Sequence, residues 1–473
     1  MNFGGTLKAN ILSTLSVKST KSINQSESYL AGKHNQLNLF AAIDDLVTDE
    51  NKLSEAERTA IEHHIITLRA AIARALWSRE IYVGRSILDD CVFGACKAGG
   101  GNIVGRVIAD LAQAGAERPG FVLYPLTSFG MKIPTLFDRS SSLRDWVAFS
   151  RAGYAVSGQQ HSVKAAHERL CEMSVALGIR QRIVFDDVRH FATHATWLAR
   201  NPLMLVRLTS HTGDMYENQF VYSLKIRTAA SCLLMLHALS VEKSDPVEKF
   251  HATSNVNNWE TLNIRHYLIG ENLRGRPMGL RRVPMNVSAL ELARLSDVAA
   301  VISTDELSTA RMKRLSTAIM TALKTVEQGY FRHVNLSSKD KVQKRLYKRF
   351  VTALDWYRQS FGSRINESEA VVAIAVAFET LLTDAYQRGV ADRIERRLGL
   401  CLKGVPGVDS YKQAVLALYH ARSEIVHNGS LGQQANFVAA QAAFARCFHM
   451  LISRLEGWTP VANEPIRDLL NDI

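Results

Sequence analysis

The stretch LYHARSEIVHNG, residues 418–429, decides the fold of the C-terminal part of this chain. Apolar side chains recur at helical spacing before and within it and stop at Val426. Asn428 and Gly429 follow, and these two residue types most often adopt the left-handed backbone that ends a helix. The sequence therefore predicts a helix over residues 409–426 that terminates inside this stretch.

Similar helical patterns surround this one from about residue 286 onwards. The other predicted helices cover residues 288–302, 305–327, 338–361, 368–388 and 434–455. Glycine, proline and serine separate them, as in the segment GVPG at 404–407. We therefore expect an all-α helical bundle over residues 286–460, followed by a short C-terminal tail at 461–473.

The N-terminal half has a different pattern. A helical pattern covers residues 53–80, whereas the short apolar runs at 120–125 and 182–185 are typical of strands. Residues 1–50 are read as a flexible arm, because residues 13–29 are rich in serine, threonine and lysine, and residues 51–285 are read as an α+β domain. The predicted fold class is mixed, with an N-terminal α+β region followed by an all-α C-terminal bundle.

Two side chains near the end of the 409–426 helix have the chemistry needed to cleave RNA. RNA can be cleaved by its own 2′-hydroxyl, which attacks the adjacent phosphorus, so the reaction needs proton transfer and stabilisation of a highly charged phosphorane. Histidine is the side chain whose ordinary chemistry suits proton transfer at neutral pH, so His427 can move the proton. Arg422 stays charged and presents a planar set of donors to phosphate oxygens.

The spacing of this pair constrains its geometry. Five residues along an α-helix correspond to about 140° of rotation, so Arg422 and His427 do not share a face of a regular helix. We expect His427 to lie in a looser last turn, from which it can move towards Arg422. The alternative is purely structural, because both cations are favourable near the negative end of a helix dipole.

The sequence around this pair resembles the signature of HEPN ribonucleases, in particular that of the ApeA-like branch. The matching positions are Leu-Tyr at 418–419, Arg-Ser at 422–423, Ile-Val-His at 425–427 and Gly429. An apolar helix with the sequence FETLL at 378–382 precedes it by about 40 residues, and the corresponding helix of that family carries a glutamate facing the active site. The resemblance covers roughly residues 300–457, about a third of the chain.

This resemblance implies a metal-independent endoribonuclease with Arg422 and His427 as catalytic residues and no cofactor or metal. Glu379 would hold Arg422 or His427 in position, or would form a structural ion pair. Ser423 and Asn428 could orient the phosphate or the imidazole, or could be ordinary surface residues. In the family two such helices meet across a dimer axis, which implies a homodimer with a shared site.

The resemblance also carries a biological expectation and an alternative. Multidomain HEPN proteins of this kind act in antiphage defence by abortive infection, so the N-terminal half would be a sensor that restrains the nuclease until a phage protein binds. Some HEPN domains are instead non-catalytic modules that bind nucleic acid or a partner protein. The sequence leaves this second function class open.

Positive charge is concentrated in the middle of the chain. The net charge is +12, and residues 261–360 contain 18 Lys/Arg against 8 Asp/Glu, whereas residues 365–458 contain 9 of each. A concentrated positive field attracts polyanions. We therefore predict RNA binding at Arg345, Lys348 and Arg349, with a solvated helix face as the alternative.

Weaker patterns exclude other functions or give only default expectations. The six cysteines form no C-x-x-C pair, which is typical of reduced cysteines and favours a cytoplasmic location. No apolar stretch is long enough to span a membrane. His190 and His194 have no identifiable third metal ligand. The glycine-rich segment at 97–102 lacks the Gly-Lys-Ser/Thr ending of a phosphate loop.

Overall fold

The structure is a computed structural model of the chain. It describes residues 17–33, 54–77, 81–83, 85–117, 119–126, 131–132, 145–211, 215–242, 266–271, 277–284, 300–330, 333–334, 340–362, 367–385, 389–429, 437–459 and 463–472. The described residues form a mixture of α-helices and β-strands, as the sequence predicts for the fold class.

The chain divides into two compact units. The first consists of Met1–Phe121, Leu208–Tyr222 and Gly270–Val283, and the second of Val122–Arg207, Ser223–Ile269 and Pro284–Ile473. The second unit thus contains residues of both predicted domains. The assignment of a sensor role and a nuclease role to separate domains stays a prediction.

The first unit is mainly helical. Its elements are α1 (Val17–Gly32), α2 (Glu55–Trp77), β1 (Ile81–Val83), α3 (Arg85–Lys97) and α4 (Ile103–Glu117). A capping box fixes the start of α2, because Ser54 Oγ accepts from the N–H of Glu57 at 3.3 Å and Glu57 Oε2 accepts from the N–H of Ser54 at 3.1 Å.

The prediction of a flexible arm over residues 1–50 is wrong for residues 17–33, which form α1 and its end; the rest of the arm lies outside the described residues. Ile23 and Leu30, two turns apart, are buried against α2 and α3. Glu27 is also buried and accepts the backbone N–H of Val104 at 2.9 Å, which caps α4. The sequence analysis missed this helix because its apolar stripe is narrow and most of its other residues are polar.

The second unit contains most of a β-sheet. Its strands are β2 (Gly120–Pro125), β4 (Trp146–Phe149), β5 (Tyr154–Ser157), β6 (Leu203–His211) and β7 (His266–Glu271), in the spatial order β4-β5-β6-β2-β7. The pairs β4–β5 and β5–β6 are antiparallel. The end of β6 belongs to the first unit, where it pairs in parallel with β1.

Two short strands pair separately, and one strand lies largely in the first unit. The short pair is β3 (Met131–Lys132) with β9 (Ala300–Val301), and the remaining strand is β8 (Gly279–Pro284). The predicted strand at 120–125 is confirmed, and every residue of β2 is buried. The predicted strand at 182–185 is reduced to a single bridge residue, Ile183. A helix starts at Phe185 there, since Asp186 and Asp187 favour the positive end of a helix.

In the described ranges between residues 145 and 242, three helices and one 3₁₀ turn accompany the sheet. They are α5 (Val163–Ala176), α6 (Phe185–Ala192), the 3₁₀ turn Thr196–Ala199 and α7 (Met215–Val241), which starts in the first unit and continues into the second.

Among the described residues, eight helices follow from residue 304 onwards. They are α8 (Thr304–Ser308), α9 (Ala310–Tyr330), α10 (Lys341–Gln359), α11 (Glu367–Leu382), α12 (Val390–Cys401), α13 (Val408–Asn428), α14 (Phe437–Ser453) and α15 (Pro465–Leu470). The helices predicted at 338–361, 409–426 and 434–455 are confirmed within a few residues. Those predicted at 305–327 and 368–388 are confirmed in position, although the first is broken at Thr309 and the second ends at Leu382.

The predictions missed α12 and α15. The predicted helix at 288–302 is wrong at its end, where β9 is a strand, and residues 288–299 lie outside the described residues. Residues 463–472 are not a free tail, because Asp384 accepts the backbone N–H groups of Ile466 at 2.8 Å and Arg467 at 3.1 Å.

Aromatic side chains form the core between these helices. Phe444 of α14 stacks on Tyr357 of α10 with ring centroids 4.5 Å apart and meets Phe378 of α11 edge-to-face at 5.5 Å. Helix α11 packs against α10, α12, α13 and α14. Glu379 and Thr380 lie near the C-terminal end of α11. Because α11 packs against both α10 and α13, these two residues lie between those helices.

Candidate functional site

The end of α13 is defined by a glycine cap. Gly429 adopts φ 72°, in the left-handed region, and its N–H donates to the carbonyl of Ile425 at 2.9 Å. The helix remains regular through Asn428, two residues beyond the predicted end. The expected loosening of the turn around His427 is therefore absent, and Arg422 and His427 keep the angular separation of a regular helix.

Arg422 continues the buried face of α13 towards α11. Val415, Leu418 and Tyr419 on this face are buried, and Arg422 lies one turn beyond Leu418 and Tyr419. Its Nη2 atom lies 3.4 Å from Oε1 of Glu379, and the two side chains are 34% and 26% exposed. The structure thus brings together Arg422 and Glu379 among the predicted site residues.

Tyr419 belongs to the same cluster and was missed by the sequence analysis. Its hydroxyl donates to the carbonyl of Ala375 at 3.0 Å. Burial raises the pKa of this phenol well above its usual value, the negative charge of Glu379 raises it further, and Arg422 opposes the rise. The position of Tyr419, three residues before Arg422 and therefore on the same helix face, was the available indication.

The guanidinium of Arg422 keeps donor capacity beyond this ion pair. Within the described part of the chain, its Nε atom is buried without a hydrogen-bond acceptor. A guanidinium has five N–H donors. The group is thus held by Glu379, and because its side chain is 34% exposed, donors other than the buried Nε can meet a phosphate oxygen.

His427 lies on a different, solvent-facing side of α13. His420, Ser423, Val426 and His427 are all exposed, and their spacing puts them along one stripe of the helix. Val426 is 62% exposed. Asn428 is also exposed. Within one chain the structure therefore does not bring His427, Ser423 or Asn428 into the Arg422–Glu379 cluster.

The predicted RNA-binding residues line a groove beside α11. The groove has a volume of about 450 Å³. Its lining residues are Lys341, Lys344, Arg345, Lys348, Arg349 and Thr352 of α10 and Thr380 of α11. The opposite side of α10 carries buried Leu346, Phe350 and Ala353. The basic residues thus form one face of an amphipathic helix, and two of them, Lys341 and Lys344, were not among the predicted binding residues.

Arg349 has a structural role at the base of this groove. Its Nη2 atom donates to the carbonyls of Glu379 at 3.2 Å, Thr380 at 3.0 Å and Thr383, and so caps the C-terminal end of α11. Burial lowers the pKa of this guanidinium, and the carboxylate of Asp384 opposes the change. Arg345 differs, because it is exposed and contacts the carbonyl of Asn463 with one nitrogen.

The weaker candidates gain nothing from the structure. His190 and His194 contact each other edge-to-face at 6.0 Å. In the described ranges no three His, Cys, Asp or Glu residues cluster as metal ligands would. The N-terminus of α4, after the 97–102 loop, is occupied by Glu27. In the same ranges no helix is long and apolar enough to cross a membrane.

Comparison with known proteins gave no relative. No family model, no curated protein and no solved structure matches the chain.

Proposed function

We propose that this protein is a metal-independent endoribonuclease of the HEPN type, in which Arg422 and His427 carry out the reaction. The supporting observation is the arrangement at the end of α13. Arg422 is paired with Glu379 and remains 34% exposed, and His427 is exposed on the last turn of the same helix. This arrangement provides a fixed cation for phosphate and an accessible imidazole for proton transfer.

The proposed reaction is an intramolecular transesterification of RNA. His427 removes the proton of the 2′-hydroxyl, and the 2′-oxygen attacks the adjacent phosphorus. The P–O5′ bond breaks, the leaving 5′-oxygen takes up a proton from water, and the protonated His427 then returns its proton to the solvent. Arg422 stabilises the negative charge of the phosphorane through its N–H donors. The products are a 2′,3′-cyclic phosphate and a 5′-hydroxyl, without any covalent enzyme intermediate.

The site is proposed to be shared between two copies of the chain. Arg422 and His427 diverge by about 140° on a regular helix, so a phosphate bound by Arg422 of one chain is not reached by His427 of that chain. Val426 lies between Arg422 and His427 around the helix, and a twofold axis passing near Val426 would bring His427 of the second copy towards Arg422 of the first. Val426 is exposed beside His427, and an exposed apolar side chain suits such an interface.

The biological setting remains part of the proposal. The resemblance to defence proteins suggests an abortive-infection effector whose N-terminal region senses a phage protein. The competing function is a non-catalytic HEPN module that binds nucleic acid or a partner. In that case Arg422 and Glu379 would be only an ion pair of the bundle.

Cleavage of a labelled RNA by the purified full chain in the presence of EDTA tests this proposal. We expect the wild-type protein to cut it and to leave 2′,3′-cyclic phosphate ends. Arg422→Ala and His427→Ala should each lower the rate by about 100-fold or more, because each removes a group acting in the transition state. His190→Ala is the matched control, since His190 is exposed on α6 and lies outside the proposed interface, and it should cut normally. Equal cutting by all four proteins, or cutting that EDTA abolishes, would contradict the assignment.

A further inference from the structure

The α10 groove has the composition of a phosphate-binding surface. Five of its seven lining residues are lysine or arginine, and the other two carry hydroxyl groups. These groups supply cations and hydrogen-bond donors, which phosphate oxygens accept. The base of the groove is fixed, because Arg349 is bound to the carbonyls at the end of α11.

The spacing of the lysines and Arg345 suggests a strand rather than a single phosphate. Lys341, Lys344 with Arg345, and Lys348 lie on successive turns of one helix face. Successive turns are about 5.4 Å apart along the axis. This distance is comparable with the separation of successive phosphates in an extended nucleic-acid strand. Three adjacent phosphates can therefore each meet one turn of α10.

We propose that the α10 groove binds the sugar–phosphate backbone of a single-stranded segment of the RNA. Lys341, Lys344, Arg345 and Lys348 contact phosphates, and Arg349 holds the groove in shape. None of the lining residues in the described part of the chain is aromatic, so the groove reads no bases and binding is independent of sequence. This inference rests on the proposed ribonuclease function for the identity of the strand.

The position of the groove relates it to the candidate active site through α11. Thr380 lines the groove, and the adjacent residue Glu379 contacts Arg422 with its carboxylate. Arg349 donates to the carbonyls of both residues. The end of α11 therefore fixes the groove wall on one side and Arg422 on the other, and a strand held in the groove runs next to the helix that positions Arg422.

Binding of a fluorescent single-stranded RNA with 2′-O-methyl groups at every position tests this inference. Methylation removes the attacking hydroxyl, so the probe is bound without being cut. The full-length double variant Lys344→Glu/Lys348→Glu should bind it at least about tenfold more weakly at moderate salt. The slope of log affinity against log salt should fall by about 1.4, since each phosphate contact on a single strand contributes about 0.7. Lys344→Ala/Lys348→Ala should give a smaller change of the same sign.

The matched control is Lys313→Glu/Arg314→Glu, which changes the net charge equally at exposed positions of α9. This variant should keep wild-type affinity within about twofold. Equal weakening by the control and the groove variant would overturn the inference, because it would show only an effect of net charge. Unchanged RNA binding by the groove variants would also overturn the inference. Binding of the same variants to phosphatidylserine vesicles is measured in parallel. If the groove variants lose binding to the vesicles and keep binding to RNA, the groove binds lipid headgroups and the inference is wrong.

This experiment separates the groove from the catalytic assignment. Arg422→Ala removes a single phosphate contact outside the groove, so it should weaken binding of the methylated RNA less than Lys344→Glu/Lys348→Glu does. A protein that binds the probe in the groove and never cuts RNA would refute the proposed function alone. A protein that cuts RNA while its groove variants bind and cut normally would refute the groove alone. Thermal unfolding of each variant shows that the fold is retained.

Discussion

Arg422 and Glu379 form the contact on which the proposed chemistry depends at the residue scale. Both side chains are partly exposed, so their ion pair contributes little to folding, about 0.2–1 kcal/mol. Its more important effect is on geometry, because Glu379 fixes the guanidinium beside the buried Tyr419. We interpret Glu379 as a positioning residue that acts through Arg422.

Glu379→Gln separates positioning from stability. The variant removes the charge that holds Arg422, and we expect kcat for RNA cleavage to fall by about 10- to 100-fold with KM little changed, since small displacements of a catalytic group are costly. The free energy of unfolding should change by less than about 1 kcal/mol. Asp392→Asn, at an exposed position of α12, is the control with the same charge change. An unaltered kcat in Glu379→Gln would show that the pair is only structural.

The role of an individual residue was predictable where a local sequence motif indicated it. It was less predictable where the role depends on contacts with residues distant in sequence. Glu379 and Arg422 were singled out together from the sequence, and the structure places them 3.4 Å apart. Tyr419 was missed, because a tyrosine on an apolar face gives no sign of which charges it meets. Arg349 was predicted to bind RNA, but its partners are backbone carbonyls of α11, which no local pattern identifies.

At the element scale, the last helix is fixed by a buried ionic network. Arg397 of α12, 6% exposed, contacts Asp384 at 3.1 Å and Asp472 at 2.7 Å, whose side chains are 5% and 3% exposed. Asp384 also caps the start of α15. The helix pattern of α12 was missed because its apolar stripe contains Arg397, and this arginine is buried only because two carboxylates neutralise it.

Asp472→Asn should destabilise the protein by about 3–5 kcal/mol, because it leaves Arg397 buried with incomplete compensation. Urea unfolding followed by circular dichroism measures this change. Glu464→Gln is the control, because its ion pair with Arg467 is exposed and contributes less than about 1 kcal/mol. Equal stabilities of the two variants would mean that Asp472 does not compensate the buried charge of Arg397.

The same network predicts a dependence of stability on pH. Burial alone would raise the pKa of Asp472, but its hydrogen bonds and ion pairs with Arg396 and Arg397 more than offset this and lower it below the usual 3.8. A lowered pKa in the folded state means that the stabilisation is complete above the usual pKa and is lost as the pH falls through the folded-state value. Asp472→Asn should therefore lose less stability than the wild type between pH 5 and about pH 2.

At the scale of the whole molecule, the fold class was predictable and the grouping of its parts was not. The spacing of apolar residues along a helix or strand is a local property of the sequence. It therefore identified most helices of the C-terminal part. The division into two units depends on contacts between distant segments, so residues 122–207 belong with residues 284–473 although their patterns differ. The single-chain structure also leaves His427 and Val426 exposed, which the proposed second copy explains.

Mixing two inactive variants tests the proposed shared site most directly. Arg422→Ala and His427→Ala are purified separately, combined in equal amounts under conditions that exchange subunits, and assayed for RNA cleavage in EDTA. If the protein is a twofold dimer, half of all dimers in the mixture are heterodimers. Each heterodimer has one intact pairing of Arg422 with His427 and one inactive site. Cleavage should therefore recover to about a quarter of the wild-type rate. If the mixture stays as inactive as either variant alone, Arg422 and His427 do not act across two chains, and the shared site is wrong.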